Sequence, residues 1–244
     1  MSGLLDGIHW LTNPAHWSGP DGIWLRTFQH VELSVSAVVV ASLVALPIGL
    51  AVGHTRRGEF LAVQIANLGR AIPSIAILSL AFLVAVYVFP SYAFGFLPTL
   101  VALTLLGIPP ILVNTYVGIQ QIDADTVEAA RGMGMSGRQV LFGLEIPLAM
   151  PLIMTGLRLA AVTIVATAAL SALIAGGTLG RYIVDGIAQQ DIPKVVGGSI
   201  LIAALAIVTD ALFSLIRRVT APRTSSIERR KGLGASRLRR PVIG

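Results

Sequence analysis

A chain of 244 residues, 55% of them hydrophobic and only 12% charged, carries too little polar surface to clothe a water-soluble domain of that size. Its mean hydropathy of +0.80 points to a bilayer as the solvent, and its length fits about five or six spans of roughly 20 apolar residues, with no room for a separate soluble domain. The net charge of +6 is not a nucleic-acid footprint, because nine of the 18 Lys and Arg residues lie between Arg217 and the C-terminus, and the absence of cysteine removes disulfides, thiolate metal ligands and cysteine nucleophiles together.

Residues 1–30 read as an extracytoplasmic segment. They hold Asp6, Asp21, Trp10, Trp17 and Trp24 but no basic stretch ahead of an apolar run, which does not fit a cleavable signal peptide. The transmembrane domain, 31–218, is expected to be all-α with five spans. The first runs from about Val31 to Gly53 and stops at His54-Thr55-Arg56-Arg57. The second runs from about Phe60 to Phe89, with Arg70 and Pro73 interrupting its start. The third, about Leu97 to Ile119, contains Pro109-Pro110, two successive residues without a donor that are expected to break or kink the helix. A polar loop at about 120–151 precedes a fourth span, about Leu152 to Ala175, and a fifth, about Val195 to Leu215. The tail, 219–244, mixes basic residues with Gly, Ser and Pro and is expected to be disordered, serving either as a positive-inside anchor or as a basic segment lying on anionic lipid.

Arg56, Arg57, Arg131, Arg138, Arg217 and Arg218 fall on one side of this topology, against Arg26, Arg181 and Lys194 on the other. The N-terminus is therefore expected outside and the C-terminus in the cytoplasm. Five spans without an internal repeat do not divide into the two halves of an inverted-repeat carrier, so a partner chain is expected to complete a pore.

The loop carries the most specific signal. Asp123, Asp125 and Glu128 suit a helix N-terminus, Ala129-Ala130 continue the helix, and Gly132, Gly134 and Gly137 stop it. A second short helix is expected from Gly137 to Ile146, closed by Pro147 and Pro151 before the membrane. Glu128-Ala129-Ala130, Gly134 and Leu144-Glu145-Ile146-Pro147 resemble the coupling motif of binding-protein-dependent ABC importer permeases, with Leu and Ile exchanged near its end. Ala71-Ile72-Pro73-Ser74, Gly107 to Ile119, Ala130 to Met135 and Gly176-Gly177-Thr178-Leu179-Gly180 are similar to the branch serving glycine betaine, carnitine, choline and related osmoprotectants; amino-acid permeases share several of these features. The resemblance implies an ABC importer permease fold at the bacterial inner membrane. It also implies ABC ATPase subunits docking on Glu128, Ala129, Ala130, Gly134, Ile146 and Pro147, a second permease subunit, and an extracytoplasmic solute-binding protein. ATP and magnesium would belong to the partner ATPase.

No catalytic or metal site is expected. Gly132-Met133-Gly134-Met135-Ser136-Gly137 spells G-x-G-x-x-G but follows no strand, and no G-x-x-x-x-G-K-[ST] occurs, so no cofactor is expected on this chain. His9, His16, His30 and His54 are scattered and read as interfacial or loop residues. Pro109, Pro110, Asn114 and Thr115 either line a translocation path or serve contacts between helices. Arg158 and Asp210 stand at a similar depth, seven residues from Pro151 and from Arg217, and either pair between helices or snorkel to the interface. Tyr87, Phe89, Tyr92, Phe94 and Phe96 form an aromatic belt at the outer loop, or faces suited to a quaternary ammonium.

Overall fold

The computed structural model describes residues 2–220, so the predicted basic tail beyond Thr220 lies outside the described residues. Helix α1 (Ser2–Thr12) and a 3₁₀ turn at Pro14–His16, capped by the Asn13 side chain, precede α2 (Ile23–Thr55). The helix that holds the first expected span therefore begins at Ile23, eight residues before Val31. Arg26, Gln29, His30 and Glu32 interrupt the apolar run without interrupting the helix. At the far end Arg56 takes a left-handed φ of 53° and stops it.

The expected second span is two helices, α3 (Glu59–Ala71) and α4 (Ser74–Val88). Pro73 has no N–H to give to the ladder and disfavours helical backbone at Ile72, so α3 ends one residue earlier. The 15 residues of α4 extend only about 22 Å, short of a core of roughly 30 Å. Among the described residues, four stretches are long and apolar enough to cross a membrane alone, where five spans were expected: α2, α5 (Phe96–Gln120), the continuous stretch Gly137–Ile174, and α10 (Ile192–Thr220).

Of the break or kink expected at Pro109-Pro110, the break is absent: helix α5 runs unbroken through both residues. The pair deprives the Leu105 and Leu106 carbonyls of their ladder donors, yet close packing of α5 on its neighbours maintains the helix. Pro147 and Pro151 likewise do not close a helix before the membrane. After α6 (Ala124–Gly132) and α7 (Gly137–Val140), a π turn at Leu141–Glu145 leads directly into α8 (Ile146–Thr167) and a 3₁₀ ending at Ala168–Ile174. Pro147 falls in the first turn of α8, just after the wider π turn, where its missing N–H and its ring are tolerated.

Helices α2 and α5 lie parallel. Leu33 and Ala37 meet Leu103 near one end, Ala41 and Ala45 meet Ile111 and Leu112 midway, and Gly49 and Gly53 face Thr115 and Ile119 near the other. Ala37, Ala41, Ala45, Gly49 and Gly53 recur every fourth residue and are all buried, which gives α2 one narrow stripe for close backbone approach. Helix α8 packs antiparallel on α5, with Gly118 against Ala149 and Leu152, Gly156 against Asn114, and Gly107 against Ile164. A Cβ at Gly156 would stand 2.8 Å from both the Asn114 Cβ and the Pro110 carbonyl oxygen. Gly156→Leu is therefore expected to force α5 and α8 apart and destabilise the protein by about 1–3 kcal/mol. Gly132→Ala, where a Cβ meets nothing within 4 Å, is expected to be near neutral. Thermal unfolding of the two purified variants checks the contrast.

At the end opposite the loop between α5 and α8, α1 lies along α10, with Gly7 on Val196 and the Trp10 ring on Gly197. Helix α9 (Gly180–Gln189) connects α8 to α10. Its Tyr182 hydroxyl donates to the Asp21 carbonyl at 2.6 Å. Burial pushes this phenol up to about 12, nearby Arg26 pulls it down, and Asp21 adds to the rise, so it remains a donor throughout the physiological range.

Candidate coupling loop and the polar contacts beneath it

The loop between α5 and α8 is built by local chemistry. Asp123 caps α6 by accepting from the Asp125 amide at 3.2 Å, and Ser136 with Gln139 forms a capping box at the start of α7. Between them, Gly134 adopts φ +87° with its amide donating to the Arg131 carbonyl at 2.9 Å. A residue with a Cβ is strained in that conformation, which is why glycine stands there. The hairpin turns Ala130 inward, 3% exposed, and leaves Glu128, Ala129, Arg131, Met133 and Gly134 on its outer surface. Ile146 and Pro147 are not part of this hairpin; they open α8, separated from it by the π turn.

Beneath the loop lies a contact that the sequence reading missed. His54, in the last turn of α2, meets Glu145 at the end of the π turn, Nδ1 to Oε2, at 2.6 Å. Glu145 is only 4% exposed. A Cβ at Gly137 would come within 3.6 Å of the other His54 ring nitrogen, so the start of α7 rests on the same imidazole. One pair thus joins α2, the loop hairpin and the entry to α8. The available sequence signals were a carboxylate in the otherwise apolar run Leu141–Pro147 and a histidine at a span end. His54→Leu strands a buried carboxylate and is expected to cost about 1–3 kcal/mol. His54→Gln, which can still donate, is expected to cost less, as measured by thermal unfolding.

Arg158 on α8 and Asp210 on α10 form a two-pronged pair, Nε to Oδ1 at 2.6 Å and Nη2 to Oδ2 at 2.7 Å. This is the planar fork geometry that guanidinium and carboxylate favour. The structure thus holds the interhelical pairing, one of the two arrangements the sequence left open.

The four candidate path residues sit in contacts between helices. Pro109 is buried where a Cβ on Gly69 would run into its ring, and Pro110 is half-buried. Asn114 faces Gly156 of α8 and donates to the Pro110 carbonyl at 2.8 Å. Thr115 is fully buried on Gly49 and donates to the Ile111 carbonyl at 2.7 Å. A cleft of about 540 Å³ between α4 and α5 is walled by apolar side chains such as Ile72, Leu80, Val84 and Leu105, which offer nothing to a polar solute. His30, expected at an interface or in a loop, is instead fully buried, with Nε2 2.9 Å from the Val165 carbonyl oxygen of α8. No group of three or more metal-ligating side chains occurs among the described residues.

Apolar helices clamped by small residues, with a capped helical hairpin carried at one end, make the architecture of a multi-pass membrane protein. The chain belongs to the family of binding-protein-dependent transport system inner membrane components, whose model matches residues 30–226. It is 33% identical over 198 residues to the glycine betaine/carnitine/choline transport system permease protein OpuCB of Bacillus subtilis, covering 81% of this chain and 88% of that one. It is 32% identical over 222 residues to the osmoprotectant import permease protein OsmW of Salmonella typhimurium, covering 90% and 99%. In fold it is similar to the inward-facing MetNI methionine ABC transporter, with a TM-score of 0.73 at 19% identity over 84% of this chain and 100% of that one. The chain is thus a multi-pass ABC importer permease and not an enzyme; ATP hydrolysis belongs to a separate subunit.

Proposed function

We propose that this permease imports osmoprotectants such as glycine betaine, carnitine, choline or proline betaine, working with ABC ATPase subunits, a second permease chain and an extracytoplasmic solute-binding protein. The observation that carries the substrate class is the similarity, over four-fifths of the chain, to permeases named for these compounds. The ATPase, with ATP and magnesium, docks on the exposed hairpin, where Glu128 supplies a charged contact, Ala129 allows close approach and Gly134 makes the turn, while Ala130, turned inward, holds the hairpin against the protein rather than meeting the ATPase. Ile146 and Pro147 carry the displacement into α8. A route formed with the second chain runs past the half-buried Pro110 and Asn114, while Pro109 and Thr115, buried in this chain's own helix contacts, back its wall.

The N-terminus lies outside and the C-terminus in the cytoplasm. In support, Arg56, Arg57, Arg131 and Arg138 gather at the hairpin end, the end that positive-inside bias assigns to the cytoplasm. The test is uptake of radiolabelled glycine betaine into proteoliposomes holding the permease and its ATPase, with ATP inside and the solute-binding protein outside. Accumulation that requires both ATP and the binding protein, and that choline or carnitine competes away, supports the proposal. Uptake of an amino acid with no competition by these compounds overturns the substrate class.

A further inference from the structure

At the end opposite the coupling hairpin, a chamber of about 320 Å³ opens between α2, the segment leading into α5, and the loop that follows α8. Small-molecule pockets commonly run from about 300 to 1,000 Å³. Its wall includes Gln29, Glu32, Phe94, Phe96, Gly177 and Thr178. Glu32 belongs to the long apolar helix Ile23–Thr55 and makes no ion pair or hydrogen bond among the described residues. Glu32 is exposed and lines the chamber, so its charge is free to meet a cationic ligand there.

The other walls have a matching character. Arg26 donates to Gln29 Oε1 at 3.1 Å, which fixes the orientation of that amide and leaves its NH₂ group as a donor. Phe94 is held edge-on against Phe82, ring centroids 5.4 Å apart. A negative charge, aromatic faces and one amide donor suit a zwitterion whose positive end is methylated. Such a cation has no N–H to satisfy and is attracted by diffuse negative charge and ring faces. The amide donor, one helical turn away on α2, would meet the carboxylate end.

We propose that this chamber is a transfer site on the permease itself for the quaternary ammonium head of the transported solute, with Glu32 as counter-charge and Phe94 and Phe96 as the aromatic wall. The assignment rests on the substrate class proposed above. It differs from capture by the solute-binding protein: a site passed in transit holds the solute weakly enough to release it.

The test uses the permease with its ATPase in lipid nanodiscs, without the solute-binding protein, and tetramethylammonium chloride as probe. Saturation-transfer NMR on the probe methyl protons reads weak binding directly. Wild type is expected to show transfer that excess glycine betaine suppresses. Glu32→Gln is expected to weaken binding roughly tenfold, Phe94→Leu less, and Glu32→Asp to restore most of it. Co-elution of each variant with the ATPase on gel filtration verifies assembly. No transfer with wild type, or equal transfer with assembled wild type and Glu32→Gln, overturns the site. Failure of the substrate class reads differently: tetramethylammonium still binds through Glu32, while glycine betaine is neither transported in proteoliposomes nor able to compete. If glycine betaine is transported and Glu32→Gln leaves both its KM and its rate unchanged, the site fails and the substrate class stands.

Discussion

Gly134→Glu is expected to abolish uptake while the protein still inserts into the membrane at normal abundance. The reason is local. Gly134 turns the hairpin at φ +87°, and a residue with a Cβ in left-handed backbone costs about 1–2 kcal/mol. A Cβ there meets nothing within 4 Å, so no span is disturbed. The new carboxylate projects from the same exposed surface as Glu128, where it adds bulk and like charge to the face proposed to dock the ATPase. Gly134→Ala imposes the backbone strain without the charge or the length and is expected to retain part of the activity. Uptake measured against the amount of permease in the membrane fraction separates the two effects. Ordinary uptake by Gly134→Glu would remove the coupling role of the hairpin.

The second large effect is expected at the Arg158–Asp210 pair. Arg158→Asp alone sets two carboxylates against each other across the α8–α10 contact, and Asp210→Arg sets two guanidiniums there. Each single reversal is expected to lower the yield of assembled transporter severalfold, because like charges confront one another within an apolar stretch. The double reversal restores opposite charges at the same separation and is expected to recover much of the loss. Recovery of that kind is the signature of direct coupling between two residues. Fluorescence-detected gel filtration of tagged variants measures it, and a double variant no better than the singles would deny the pair a role in assembly.

What the sequence made legible was chemistry acting over a few residues. The hairpin was readable because carboxylates at a helix start and a glycine turn each act within one turn of backbone, as Asp123 and Gly134 do; the Ser136 cap emerged only in the structure. Arg158 and Asp210, 52 residues apart, could be matched because helical rise converts distance from a span end into depth. The prolines were not legible in this way. Pro73 ends a helix while Pro109, Pro110, Pro147 and Pro151 do not, and nothing in their immediate neighbours distinguishes them. The differences lie in tertiary surroundings: Pro109 is buried against Gly69 and Pro147 follows a π turn. The contacts of two histidines were hidden for the same reason. His30 finds Val165 135 residues away and His54 finds Glu145 91 residues away, separations that no local pattern records. Glu32 carried no local signal, and its place beside Phe94, Phe96 and Gly177 on one chamber comes from the structure alone.

The most direct test of the central claim is affinity purification of the tagged chain from membranes in mild detergent, with mass spectrometry of whatever accompanies it, for wild type and Gly134→Glu side by side. An importer permease coupled through its hairpin brings down an ABC ATPase with wild type and loses it with Gly134→Glu. An ATPase that accompanies both forms equally, or neither form under gentle conditions, would contradict the coupling assigned to the Glu128–Gly134 surface.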